Sequence, residues 1–146
     1  MKGKIFTSDE ATRTIPLVSR IVTNIRAASR LLDRHERAVA EIIVELRHDD
    51  AHAMALRTQR EAEIKKVSTL KGHLKDLEVE LEGLGWFLVD PREGVVKCYS
   101  ERESRIVYLT WMIGEPRVDH WFPLKKSHLD RQPLGGEAVT ENQQGR

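Results

Sequence analysis

The pattern that decides the fold lies in residues 18–46, VSRIVTNIRAASRLLDRHERAVAEIIVEL. Residues three or four apart form one line, on which every position except His35 is apolar. That line consists of Val18, Ile21, Ile25, Ala28, Leu32, His35, Val39, Ile42 and Leu46. This heptad spacing is typical of a helix packed lengthwise on another helix, as in coiled coils. A helix running from Thr7 to His48 would be about 60 Å long, so it needs a partner of similar length.

The following segment supplies that partner helix. Its apolar residues repeat at the same spacing, at Val67, Leu70, Leu74, Leu77, Leu81 and Leu84. A polar turn at residues 48–52 separates the two helices, and Asp49 or Asp50 is predicted to cap the second one. Gly85 suits the left-handed backbone conformation that commonly follows a helix end. The sequence therefore predicts a long antiparallel α-helical hairpin over about residues 7–84.

Four polar or special residues modify the first helix. Thr7 and Glu10 have the spacing of a capping box, in which each side chain accepts a hydrogen bond from the other residue's backbone N–H. Pro16 removes one backbone hydrogen bond, so we expect a kink or a short first helix followed by a longer one. His35 on the apolar line is expected to fix the register or oligomeric state, and the alternative is a pH sensor.

Beyond Gly85 the pattern changes to short strands and turns. Predicted strands cover residues 86–89, 95–99, 105–113 and 117–122, with turns or loops at residues 90–94, 100–104 and 114–116. They form a small antiparallel β-meander of three or four strands over about residues 86–122, packed on the base of the hairpin. The fold class is α+β, with residues 1–134 as a single domain. Residues 135–146 have only Ala138 and Val139 as apolar side chains, so we expect a disordered tail there.

Composition excludes several classes of protein. The chain has 24 basic and 23 acidic residues among 146, so bulk charge does not favour a nucleic-acid partner. No apolar run approaches the ~20 residues needed to cross a bilayer, so no membrane partner is expected. The start has no signal-peptide pattern, and the single cysteine, Cys98, forms no internal disulfide. These features are typical of a cytoplasmic protein.

Several short motifs resemble a known bacterial family, catalogued as domain of unknown function 2203. The start of the chain, Phe6-Thr7-Ser8-Asp9-Glu10-Ala11, is similar to the family's opening. The stronger similarity lies in Val107-Tyr108-Leu109-Thr110-Trp111, Gly114-Glu115-Pro116, His120-Trp121 and Arg131-Gln132-Pro133. Family members usually have cysteine in place of Thr110 and histidine in place of Phe122. The resemblance implies a fold and no activity.

One group of residues is the best candidate for a binding site. Trp111, Trp121, Glu115 and Arg131, together with Asp90, combine aromatic and charged side chains near a hairpin end, where they can form a pocket or a partner surface. The alternative is tryptophan packing in the core, with a salt bridge from Arg131 to Glu115 or Asp90.

Two further groups are weaker candidates. His48, Asp49 and His52 have the spacing of a possible zinc site, but a solvated turn with a helix cap is the favoured interpretation. Cys98 and His120 lie on neighbouring predicted strands, but no oxyanion-stabilising turn adjoins Cys98, and packing is the usual role of such a cysteine. We therefore predict no catalytic residues and no cofactor.

The chain has no P-loop, dinucleotide fingerprint, HExxH motif or nucleophile elbow, so the balance leans away from an enzyme. The leading hypothesis is a non-enzymatic interaction module that forms a homo-oligomer, most simply a homodimer, through its long helices. An unknown protein partner is also compatible with this pattern. The alternative is a small-ligand or metal-binding module at the C-terminal sheet.

Overall fold

The computed structural model of the protein describes residues 3–48 and 50–135. Two long helices come first, α1 (Ser8–His48) and α2 (Ala53–Gly83), and a short 3₁₀ helix at Asp50–His52 lies between them. Five strands then form one antiparallel sheet in chain order: β1 (Phe87–Asp90), β2 (Val95–Arg102), β3 (Arg105–Met112), β4 (His120–Pro123) and β5 (Gln132–Pro133). A second 3₁₀ helix, His128–Asp130, precedes β5. The predicted α+β fold, a helical hairpin followed by a meander, is confirmed.

The two helices pack through the predicted apolar lines. Buried positions on α1 include Val18, Ile21, Ile25, Ala28, Leu32 and Ile42, while on α2 they include Leu56, Leu77 and Leu81. The upstream half of α2 contributes few buried side chains, as its polar residues predict. We call the end near Val18 and Leu81 the base of the hairpin, and the end near His48 its tip.

The core lies where the base of the hairpin meets one face of the sheet. Val18, Val22 and Ile25 of α1 belong to the same buried cluster as Leu109 and Trp111 of β3. Burial of this apolar surface is the main stabilising contribution to the fold. Within the described residues, 3–48 and 50–135, no helix is long and apolar enough to cross a membrane.

The two helices begin in different ways. The capping box is confirmed at α1, because the Thr7 N–H donates to Glu10 Oε1 at 2.9 Å and the Glu10 N–H donates to Thr7 Oγ1 at 3.1 Å. α1 continues through Pro16, so the alternative of two separate helices is wrong. Buried residues on both sides of the proline keep the helix packed. The cap position of α2 is His52, whose side chain forms no capping hydrogen bond, because the 3₁₀ helix moves the start past Asp50. Asp49, the other predicted cap, lies outside the described residues.

The sheet is longer and has one more strand than predicted. β2 continues through Ser100 to Arg102, so the predicted loop at residues 100–104 shrinks to a turn at Glu103 and Ser104. β4 begins at His120 instead of residue 117. The fifth strand has only two residues, too few to show an alternating pattern. Gly85 has a φ of +93°, which confirms the predicted left-handed conformation. Residues 136–146, which belong to the predicted tail, lie outside the described part of the chain.

The start of α1 explains why β4 begins late. The backbone N–H of Val118 donates to Thr12 Oγ1 at 3.1 Å, and the Val118 carbonyl accepts from Ser8 Oγ at 2.6 Å. Both backbone groups of this residue are therefore bonded to helix side chains and not to a strand. Phe6, two residues before α1, is also attached to the sheet, since its N–H donates to the Tyr99 carbonyl at 2.8 Å.

Candidate functional site

Three of the predicted site residues lie together at the end of β3. Arg131 donates two hydrogen bonds to the Glu115 carboxylate, of 2.6 and 3.1 Å. Glu115 Oε1 also accepts from the Met112 N–H at 2.8 Å, and the indole of Trp111 donates to the Glu115 carbonyl at 3.0 Å. Trp111 itself is buried. The cluster is thus a linked set of hydrogen bonds that holds the segment after β3 against β5.

Glu115 is ionised at neutral pH in this arrangement. Its partial burial opposes ionisation, but hydrogen bonds from Arg131 and from the Met112 backbone outweigh that effect, and they hold the pKa of Glu115 below its usual value of 4.5. The charges of Glu115 and Arg131 neutralise each other, so Arg131 is already occupied by an acid of its own chain. This geometry supports a structural role for the pair.

The other two predicted binding residues have different environments. The ring of Trp121 lies against Arg102, whose guanidinium carbon is 4.8 Å from the ring centroid. Asp90 ends β1, where its Oδ1 accepts from the backbone N–H groups of Arg92 and Glu93, each at 3.1 Å. The predicted alternative of a salt bridge between Arg131 and Glu115 is found, and within the described residues Asp90 forms no ion pair with Arg131.

Cys98 does not have the environment of a nucleophile. The side chain is fully buried, and burial raises the pKa of its thiol far above the ordinary range. Cys98 is paired with Leu109 across β2 and β3, whereas His120 is paired with the next residue of β3, Thr110. Because side chains alternate between the faces of a sheet, Cys98 and His120 point to opposite faces. The hypothesis of a Cys98–His120 pair is therefore wrong.

The suggested metal site falls partly outside the structure. His48 ends α1 and His52 precedes α2, but Asp49 lies outside the described residues. Within residues 3–48 and 50–135, no group of three or more histidine, cysteine or acidic side chains has the geometry to hold a metal ion.

His35 on the apolar line is paired with an acid of the facing helix. Its Nδ1 lies 2.5 Å from Glu63 Oε1, and both side chains are partly buried between the helices. The hydrogen bond from His35 is the largest cause of a lowered pKa at Glu63. This pair aligns α1 and α2 at one position, which agrees with the predicted role in register.

A second line of residues on α1 packs against the sheet. Val18, Val22, Ile25 and Ser29 are buried on the sheet-facing side. Farther along this line, Asp33 forms an ion pair with Arg92 of the turn after β1, with an Nε–Oδ2 distance of 2.7 Å. The hydrogen bond from Arg92 is the largest cause of the lowered pKa of Asp33.

Beyond Asp33, the residues on the same side of α1 are exposed. They are Glu36, Ala40, Ile43 and Arg47, spaced four, three and four residues apart. Two residues of α2, Ile64 and Val67, border the same surface. A shallow groove of about 310 Å³ lies there between the helices, lined by Glu36, Val39, Ala40, Ile43, Ile64 and Val67. We call this surface the distal face.

Apolar side chains are accessible on the distal face. Ile43 is 39% exposed and Ile64 is 47% exposed, which is unusual for isoleucines that lie side by side. Sequence reasoning missed this surface, because the prediction rested only on the line of residues that joins the two helices. The signal was present as a second set of positions at helical spacing, from Val18 through Ile25 to Ile43.

The fold and these sites define a class of protein: a long antiparallel helical hairpin whose base is covered by a five-stranded antiparallel meander. Residues 4–134 match the model of the family described as uncharacterized conserved protein (DUF2203), and the chain belongs to this family. The resemblance seen in the sequence motifs is thereby confirmed. Comparison with curated proteins gave no match, and comparison with solved structures gave none.

Proposed function

We propose that the protein is an interaction module that self-associates through the distal face of its helical hairpin. The observation that carries this proposal is the exposure of Ile43 and Ile64 on a side of the hairpin that the sheet covers only near the base. An apolar helix face of this kind is stabilised when a second surface removes it from water. A cytoplasmic location, where a lone cysteine stays reduced, is part of the same proposal.

A second copy of the chain is the occupant that the charges favour. Glu36 and Arg47 lie on the same line of α1, equally far from its midpoint between Ala40 and Ile43. A two-fold axis through that midpoint places Glu36 of each copy beside Arg47 of the other. The two hairpins then run in opposite directions, with apolar residues at the centre and opposite charges at both ends.

The alternative function, binding of a small ligand by Glu115 and Arg131, receives less support from the structure. Arg131 and Glu115 satisfy each other there, and Trp111 is buried. A ligand would have to break two short hydrogen bonds before Arg131 became available to it. Self-association requires less rearrangement, because the apolar residues of the distal face are already exposed. Glu36 does form an ion pair with Lys71, with an Nζ–Oε2 distance of 3.8 Å, but both side chains are exposed and such a pair is weak.

Sedimentation velocity of the full chain over a range of concentrations tests the proposal. We expect a reversible dimer, and Ile43→Glu should weaken it by at least about 30-fold, because burial of two isoleucines is lost and two carboxylates are brought into the interface. Val79→Glu is the matched control, since Val79 is 54% exposed on α2 but is not one of the residues of the distal face. A monomer at all concentrations, or equal effects of both substitutions, would refute the proposal.

Charge reversal tests the geometry of the dimer. Glu36→Arg alone places like charges together at both ends of the interface, and Arg47→Glu alone does the same. The double variant Glu36→Arg/Arg47→Glu restores opposite charges across the two-fold axis, so it should recover the affinity that each single variant loses. If both single variants weaken the dimer and the double variant is weaker still, the proposed orientation is wrong.

A further inference from the structure

A groove beside the turn between β2 and β3 has the features of a ligand site, and its lining residues belong to the sheet region and not to the helical hairpin. Its volume is about 710 Å³, and its lining includes the turn between β2 and β3, Trp121 of β4, and Gln132 of β5. The strands contribute Arg102 and Arg105, while the segment after β4 contributes Lys125 and Lys126. We call this surface the basic groove. Its size falls in the range that accommodates a small organic molecule.

The charge of the basic groove is strongly positive, although the whole chain has a net charge of only +1. Four cationic side chains line it, and Glu103 is the one acid among its lining residues in the described part of the chain. Arg105, Lys125 and Lys126 are exposed, and none of them forms an ion pair within residues 3–48 and 50–135. Four cations collected around one acid create a local attraction for anions.

The groove also has an apolar wall. The partly exposed ring of Trp121 forms one side, and Ile106 and Leu124 add aliphatic surface. The guanidinium carbon of Arg102 lies 4.8 Å from the centroid of the Trp121 ring, a distance typical of a cation–π contact. A ligand that fills this groove therefore meets apolar contacts and positive charge within one cavity.

The rim of the groove contains the one non-glycine turn with left-handed backbone in the described chain. Glu103 and Ser104 have φ values of +52° and +63°, where glycine or asparagine is the usual residue. Holding two such residues in this region costs stability, and strained positions of this kind concentrate at binding and catalytic sites. The turn places Glu103 at the edge of the groove, next to Arg102 and Arg105.

We propose that the basic groove binds an organic anion with an aromatic body, such as an aromatic carboxylate or phosphate monoester. The aromatic body contacts Trp121, Ile106 and Leu124, and the anionic group is held by Arg105 and Lys126. This site is separate from the distal face, so the proposal does not depend on self-association.

Nuclear magnetic resonance titration of the ¹⁵N-labelled full chain tests the proposal with three probes. They are 2-naphthoate, the neutral compound 2-naphthol, and inorganic phosphate. We expect 2-naphthoate to shift the indole N–H of Trp121 and the amides near Arg105, with a dissociation constant on the order of 1 mM or tighter for a molecule of this size. The neutral compound and phosphate should each bind at least about fivefold more weakly, since each has only half of the required chemistry.

Charge removal in the groove gives the matched comparison. Arg105→Gln/Lys126→Gln should weaken 2-naphthoate about tenfold, because two exposed ionic contacts are lost. Lys65→Gln/Lys75→Gln removes two exposed charges from α2, far from the groove, and should leave binding unchanged. All four substituted side chains are exposed, so both variants are expected to fold.

Three results would overturn the proposal. The first is no shift at Trp121 with 2-naphthoate up to about 10 mM, well above the expected dissociation constant. The second is equal binding of 2-naphthoate and 2-naphthol, which would mean that the cations contribute nothing. The third is equal binding of phosphate alone, which would indicate an adventitious ion only. None of these results bears on the sedimentation of the wild-type dimer, so failure of this proposal and failure of self-association are distinguishable.

Discussion

Replacement of Arg131 by methionine is expected to lower the free energy of unfolding by about 2 kcal/mol. Arg131 supplies two hydrogen bonds to Glu115, of 2.6 and 3.1 Å, and its loss leaves that carboxylate with a backbone N–H as its remaining donor. A fully buried pair would cost 3–5 kcal/mol or so to break. Here the Glu115 side chain is 20% exposed, so water replaces part of the lost interaction and the expected cost is smaller.

A double-mutant cycle separates the ion pair from the packing of the two side chains. Glu115→Gln keeps an acceptor for the Met112 N–H, and its cost alone should be about 1 kcal/mol. In the double variant no charge is left without its partner, so the two costs should not add. We expect a coupling energy of about 1 kcal/mol, measured by urea unfolding followed by circular dichroism.

The pH dependence of stability follows from the lowered pKa of Glu115. In the unfolded chain this group titrates near its usual value of 4.5, and in the folded protein it titrates at lower pH. Its ionised form therefore contributes stability fully above the unfolded pKa, and this contribution is lost as the pH falls through the folded pKa. The wild type should lose stability more steeply than Arg131→Met below about pH 5. Equal slopes together with a coupling energy below about 0.3 kcal/mol would refute the reasoning.

Three other outcomes follow from the packing and the backbone. Leu81→Ala should cost about 3 kcal/mol in urea unfolding, because Leu81 is fully buried between the hairpin and the sheet, and a cost below about 1 kcal/mol would contradict its place in the core. The Cys98 thiol should resist Ellman's reagent at pH 8 in the native protein and react promptly in urea, since burial raises the pKa of this group; prompt reaction of the native protein would contradict that burial. Ser104→Gly should raise stability by about 0.5 kcal/mol, because glycine adopts a φ of +63° without strain, and a lower melting temperature would show that the serine side chain stabilises the turn.

The helical hairpin was predictable because its signal is local and repeated. The positions from Val18 to Leu46 recur at one spacing over many turns, and only one helix face is compatible with them. The capping box at Thr7 and the left-handed Gly85 depend on neighbouring residues, so they too were visible in the sequence.

The environments that depend on long-range pairing between strands were not predictable from these local signals. Trp111 and Trp121 look alike as aromatic residues in short strands, yet Trp111 is paired with Val96 in the middle of the sheet and Trp121 borders the basic groove. The register between strands decides that difference, and single-chain periodicity does not contain it. Asp90 was grouped with the candidate site on residue type alone, whereas its carboxylate accepts from the backbone of the following turn.

The fifth strand shows a second limit. Gln132 and Pro133 are too few to alternate, and they pair with β4 because Arg131 is attached to Glu115 and the Leu134 N–H donates to the Asp119 carbonyl at 2.8 Å. Such a strand is stabilised by contacts outside itself.

The attachment of Val118 to the start of α1 has a consequence for the order in which a newly made chain can assemble. Ser8 and Val118 are separated by 110 residues, and Ser100 and Phe6, which also share a hydrogen bond, by 94. During synthesis the N-terminal residues emerge first but must wait for nearly the whole sheet before they find these partners. The hairpin has nearer contacts and can form earlier. A ribosome-bound chain that stops before residue 118 therefore carries paired helices whose first turns still lack their hydrogen bonds to Val118.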